Sequence, residues 1–250
     1  MKITLPILAS AVVLTLALAG CSSGGLPAGS STSAGNNGSG TSQNNGPTGS
    51  YSASDLVAIL KKTEAARGLT GKINDNAQLK ALATNGGTKS FTSEFAAAGE
   101  SFQPKACGDL LDSLIAASEK ELKSNDWRGA SVVTTNDIIS IAAASSASTT
   151  DSLLTDTKNI MSQLTSKCAT MTIKAASISL GFTITPVTAT TNADQTYAYE
   201  EDITSSGTVT KTLTIEAVYG NLYIGDVSIT NPKLSDIEAN VNAVIAASKS

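Results

Sequence analysis

The chain has 250 residues, 17 basic and 21 acidic side chains, three cysteines and no histidine, with 41% hydrophobic but only 4% aromatic residues. That length allows one or two domains with a real core. The net charge of −4 argues against a nucleic-acid partner, which needs a basic patch. The lack of histidine removes Ser-His and Cys-His catalysis and every histidine-ligated metal site.

Met1 and Lys2 precede an apolar run, Ile3 to Leu18, broken only by Thr4, Pro6, Ser10 and Thr15. This is the layout of a secretory signal, with an apolar stretch short for a membrane span. It closes on Leu18-Ala19-Gly20-Cys21, which resembles the lipobox of bacterial lipoproteins. There the cysteine thiol is alkylated by diacylglycerol and the chain is cut just before it. The resemblance implies that Cys21 is the lipidated first residue of the mature chain. It also implies a place on the extracytoplasmic face of the cell membrane, since each buried CH₂ of an acyl chain contributes about 0.8 kcal/mol. Residues 22–50 are almost all Gly, Ser, Asn and Thr and carry no charge. Such a segment cannot bury enough apolar area to order itself, so it reads as a tether with a reach of about 30 Å. The expected organisation is therefore a signal over 1–20, a lipidated cysteine and tether over 21–50, and one domain over 51–250.

The folded part opens with helical signals. Ser52 to Asp55 offer hydroxyls and an acid for an N-terminus, Leu56, Ile59, Leu60 and Thr63 share a stripe, and Gly68 stops the run. A short helix is expected over 76–83, ended by Asn85-Gly86-Gly87, and another from about Cys107 to Lys123. Asp126 to Gly129 reads as a break, and Val132 to Ala144 as one extended segment in which Ile139, Ile141 and Ala143 alternate with Ser140 and Ala142. A helix from Ser148 to Lys167 follows, with Ser148 and Asp151 placed as a capping box.

Beyond Cys168 the period switches to two, through Met171 and Ile173 and then Ile178, Leu180, Phe182 and Ile184. A three-residue loop at Ser205-Ser206-Gly207 predicts that Ile203 faces Val209, Glu201 faces Lys211, Tyr199 faces Leu213 and Tyr197 faces Ile215. That register gathers the large apolar groups on one face. Gly220-Asn221 signals a two-residue hairpin that sets Tyr219 against Leu222 and Ala217 against Ile224. An extra residue at Gly225-Asp226, a β-bulge, is expected to keep Val227 and Ile229 on the apolar face. The last helix starts at a box formed by Ser235 and Glu238, with Leu234 as staple and Ile237, Val241, Val244 and Ile245 as its stripe. These elements make an α+β fold: a twisted antiparallel sheet of about five to six strands packed against helices, with one structural disulfide.

With Cys21 lipidated, Cys107 and Cys168 remain as an even pair in an exported chain, and a disulfide between them is expected. Two buried free thiols or a redox pair are the rival readings, and no Cys-x-x-Cys spacing supports the redox pair.

Pro104-x-x-Cys107 opening a helix, a strand, a helix ending at Cys168, and the strand pair Val218 to Ile224 before a helix of small residues are similar to a known frame. It is the extracellular sensor domain of PknH-type actinobacterial Ser/Thr kinases and related lipoproteins. The resemblance spans roughly 52–248. It implies a twisted antiparallel sheet flanked by helices and a cleft for an unidentified ligand, with no catalytic residues. The second disulfide of the kinase domain has no counterpart in this chain, and no tryptophan precedes Cys168.

Glu200-Glu201-Asp202 is the densest acidic cluster, but strand alternation splits it between faces, so it reads as a solvated strand rather than a calcium site. Glu119 and Glu121 need only a solvated helix face. No Ser-x-x-Lys or Walker loop occurs. Trp127, the sole tryptophan, is either a core anchor or a wall of a ligand cleft. Tyr197, Tyr199 and Tyr219 are expected under the last helix and Tyr223 on the opposite side, which makes Trp127 and Tyr223 the candidate ligand residues. The face bearing Thr208, Thr210, Thr212 and Thr214 is a contact surface only if uncovered. No cofactor or metal is expected. The partners are the membrane through the lipid, and a small ligand or an envelope protein. A non-enzymatic ligand- or partner-binding domain is the leading reading, a structural or chaperone-like component the second and a hydrolase the last.

Overall fold

A computed structural model describes residues 50–84, 101–111, 127–144, 146–175, 178–229 and 232–249. Cys21, most of the tether, the Asn85-Gly86-Gly87 stop and the helix from 112 to Lys123, with Glu119 and Glu121, lie outside these residues. Along the chain run α1 (Ala53–Arg67), β1 (Lys72–Asn74), α2 (Asn76–Thr84) and β2 (Ser101–Gln103). They are followed by β3 (Trp127–Val133), β4 (Asp137–Ala144), α3 (Ala147–Lys167), β5 (Thr170–Ala175) and β6 (Ile178–Val187). The chain ends with β7 (Gln195–Ser205), β8 (Thr208–Tyr219), β9 (Leu222–Ser228) and α4 (Leu234–Ser248). Residues 105–111 are also helical.

The strands form one nine-stranded sheet in the order β1-β3-β4-β9-β8-β7-β6-β5-β2. Every neighbouring pair is antiparallel. This corrects the expected five to six strands and the balance of the fold, which is mainly sheet with few helices. The added strands are short or hidden. β1 and β2 have three residues each and no alternation long enough to read. Of the break expected at Asp126 to Gly129, the described residues, from Trp127 on, are the start of β3. What reads as one extended run from Val132 is a hairpin, because Thr134 turns the chain: its Oγ1 accepts from the backbone N–H of Asn136 at 3.2 Å and of Asp137 at 2.8 Å.

Several local signals act as the sequence indicates. Ser52 Oγ accepts from the Asp55 N–H, and the Asp55 carboxylate accepts from the Ser52 N–H at 2.8 Å, a reciprocal capping box. Gly68 closes α1 at φ 64, a left-handed conformation that costs glycine nothing. Other caps are corrected. α4 begins at Leu234 with no side-chain cap, because Glu238 reaches away to accept from the Thr190 N–H at 2.6 Å. α3 begins at Ala147 without a side-chain cap, and Asp151 instead accepts from Gln195 Nε2 at 2.9 Å. In both cases a tertiary partner for the acid outcompetes the local box.

Two register expectations are overturned. β7 and β8 join through a two-residue turn with Ser206 at φ 49 and Gly207 at φ 81. Both central residues are left-handed, the geometry that matches the twist of a tight hairpin. Pairing is therefore shifted by one residue: Asp202 faces Lys211, Glu201 faces Thr212 and Tyr199 faces Thr214. β8 and β9 pair without interruption, so Ile215 faces Asp226 and Leu213 faces Ser228, and the bulge at Gly225-Asp226 is absent.

Both corrections share one cause. The sheet is buried on both sides, so a polar residue need not mark a wet face. On the first face, Leu56, Ile59 and Leu60 of α1 and Ile237, Val241, Val244 and Ile245 of α4 pack on Ile139, Ile141, Leu213, Ile215, Ala217 and Ile224. On the second face, α3 and the 105–111 helix cover Met171, Ile173, Phe182, Ile184, Tyr199 and Ile203 through Leu164, Leu111 and the two cysteines.

Candidate functional site

The expected disulfide is formed. Cys107 and Cys168 are bonded with Cα atoms 5.8 Å apart, and both are buried. The helical segment 105–111 supplies one partner and the residue that caps the end of α3 the other, so the bridge ties two helical elements over the second face. Beside it the antiparallel pairing β5·β6·β7 aligns Met171, Phe182 and Ile203 in one row.

The structure also brings the two candidate ligand residues together. Trp127 and Tyr223 form one cluster with Ala144 and Val218, and Tyr197 and Ala142 pack against it. Neither lines an open surface: Trp127 is 6% exposed and Tyr223 2%. Trp127 comes from the first residue of β3 and Tyr223 from β9, on the side away from α4. Tyr219 lies under α4, as expected, with Lys249 Nζ 4.9 Å from its ring centroid. Tyr197 and Tyr199 do not join it: the one-residue shift turns both to the second face, 6.0 Å apart by ring centroid. Thr212 and Thr214 are buried on that second face, opposite Glu201 and Tyr199, while Thr208 and Thr210 stay exposed near the hairpin tip.

The second face contains two acids that sequence reasoning places elsewhere or misses. Glu216 is fully buried, and Tyr223 Oη donates to its Oε2 at 2.6 Å, while Oε1 has no hydrogen-bond partner. Burial pushes its carboxyl up to about 8, and the Tyr223 hydrogen bond only partly opposes this. The same burial, with Glu216 nearby, raises the Tyr197 phenol to about 12. Glu201, expected to pair with Lys211 on a solvated strand, is 8% exposed and accepts weakly from Thr212 Oγ1 at 3.4 Å. Burial raises it to about 7. Lys211 instead meets Glu200 and Asp202, at 2.5 and 3.0 Å, on the opposite face. The Nε1 of Trp127 is also buried without a hydrogen-bond partner. This face is therefore aromatic and acidic, and burial makes both carboxyls hold a proton to higher pH than an exposed glutamate does. A signal for Glu216 exists: an acid inside the run Ile215 to Tyr219 has to be buried with a partner.

Among the described residues an open concavity lies elsewhere. A groove of 570 Å³ between α1 and the start of α2 is lined by Ala53, Val57, Ala58, Lys61, Asp75 and Ala77. Among the described residues no group of three acids or cysteines gathers as a metal site, and no helix is long and apolar enough to cross a membrane.

No family model matches the chain, and no curated protein matches it. Among solved structures it is similar to the extracellular domain of PknH from Mycobacterium tuberculosis, at 9% identity and a TM-score of 0.49, covering 81% of this chain and 99% of that one. It is also similar to a putative uncharacterized protein, the Rv0999 ortholog from Mycobacterium smegmatis, at 9% identity and a TM-score of 0.34, covering 61% of this chain and 77% of that one.

Proposed function

We propose that the chain is an extracytoplasmic lipoprotein, anchored through acyl chains on Cys21 and tethered by residues 22–50. Its domain over 51–250 binds a ligand or an envelope partner without catalysing a reaction. The disulfide carries this reading. A buried bridge between Cys107 and Cys168 belongs to an oxidising compartment and leaves Cys21 as the third thiol, inside a lipobox-like sequence. Glu216 and Glu201 both lie buried on the second face, away from a substrate in solution.

Intact mass spectrometry of the protein extracted from host membranes tests the anchor. The expected mass is that of a chain starting at Cys21 plus a diacylglyceryl group. An unacylated chain starting elsewhere overturns it. Native mass spectrometry of residues 51–250 prepared from the same host tests binding, with fluorescence of the sole tryptophan as a second readout. A retained small molecule whose removal shifts Trp127 emission supports a ligand. A protein copurifying in fixed stoichiometry supports an envelope partner, and neither result together with bare monomer favours the structural reading.

A further inference from the structure

Asp226 sits in the middle of β9 on the first face, fully buried between Ile139 of β4 and Ile215 of β8. Its Oδ2 accepts from Asn240 Nδ2 of α4 at 2.9 Å, and Asn240 Oδ1 accepts from Arg67 Nε of α1 at 2.9 Å. Asn240 is itself 2% exposed, and Oδ1 of Asp226 has no hydrogen-bond partner. Sheet, last helix and first helix are thus joined by three side chains, and the one cation among them, Arg67, is one amide removed from the acid. The remaining charges nearby are Asp137 of β4 and Asp236 in the first turn of α4, both acidic. β8 sets only Ile215 opposite.

A bare carboxylate oxygen in this apolar layer is costly, whereas a carboxyl with its proton on Oδ1 satisfies the observed bonds without a buried charge. We propose that Asp226, Asn240 and Arg67 form a proton-dependent joint. It holds α1 and α4 to the sheet while Asp226 is neutral and loosens when Asp226 ionises and its second oxygen draws in water. Because α1 is the first element after the N-terminal segment, the joint links that end of the domain to the centre of the sheet. Burial raises the Asp226 carboxyl well above the usual range; the Asn240 bond and Arg67 oppose this and Asp137 adds to it. A raised folded-state value stabilises fully below the unfolded value of about 3.9 and is lost as pH climbs through the folded value.

Asp226→Asn keeps the shape and the acceptor without the proton. Urea unfolding of the mature protein from pH 5.5 to 9 is the test. The parent is expected to lose stability relative to D226N as pH rises, by up to about tenfold in the folding constant per pH unit. Hydrogen exchange around Asn240 and the last turn of α1, corrected for intrinsic rates, should accelerate at pH 9 in the parent alone. Parallel stability profiles, or equal exchange, overturn the joint. If D226N does not fold, the carboxyl carbon shift of Asp226 in the parent decides. A carboxyl still protonated at pH 7 supports the joint, and one that titrates below pH 5 overturns it.

Discussion

The two faces of the sheet are both covered and yet differ in kind. The first, under α1 and α4, is aliphatic: Leu, Ile, Val and Ala interdigitate, and its one buried acid is tied by an amide to an arginine. The second, under α3, is aromatic and acidic, holds the disulfide, and leaves Trp127 Nε1 and Glu216 Oε1 without hydrogen-bond partners. Unmatched buried polar groups cost about 1–3 kcal/mol each, and both faces carry them: Asp226 Oδ1 on the first, Trp127 Nε1 and Glu216 Oε1 on the second. What separates the two faces is therefore the aromatic and acidic packing of the second against the aliphatic packing of the first.

That contrast can be broken in four ways, in order of expected effect. Removing the bridge with the pair Cys107→Ser and Cys168→Ser should cost about 4 kcal/mol, from the entropy of a closed loop of about 60 residues. Hydrogen exchange should show the loss concentrated on β5, β6 and the end of α3, and a loss spread evenly over both faces would break the distinction. On the first face, Leu60→Ala should cost about 3 kcal/mol by urea unfolding, because Leu60 is fully buried against α4 and the sheet. A cost under about 1 kcal/mol would mean that the aliphatic layer is loosely packed.

The third concerns pH. Glu216 has its folded value raised to about 8 from an ordinary 4.5, so its stabilisation is complete below about pH 4.5 and fades as pH rises through 8. Over that window it contributes a slope of up to about 1.4 kcal/mol per pH unit. Glu216→Gln keeps an acceptor for Tyr223 Oη and should flatten the slope between pH 6 and 8; an unchanged slope would show that Glu216 is not held neutral. The smallest effect belongs to Lys211→Ala. Its pairs with Glu200 and Asp202 are surface pairs, which contribute little, so the melting temperature should not move measurably. A clear drop would mean that the hairpin is held by charge rather than by the two faces beneath it.

The residues themselves determined what depends on near neighbours. The box at Ser52 and Asp55, the stop at Gly68, the turn at Gly220, the apolar stripes of α1 and α4 and the pairing of two leftover cysteines all follow from spacing within a few residues or from cysteine arithmetic. Tertiary structure decided the rest. Whether Thr212 and Thr214 face water depends on α3 lying over them, and a single step in the Ser206-Gly207 turn moves Tyr197 and Tyr199 from one layer to the other. Period-two alternation names two faces but not which is wet, and when both are covered the polar residues on them become buried partners. That is why Glu216, Asp226 and Asn240, unremarkable along the chain, meet Tyr223 and Arg67 only once the sheet has closed between its helices.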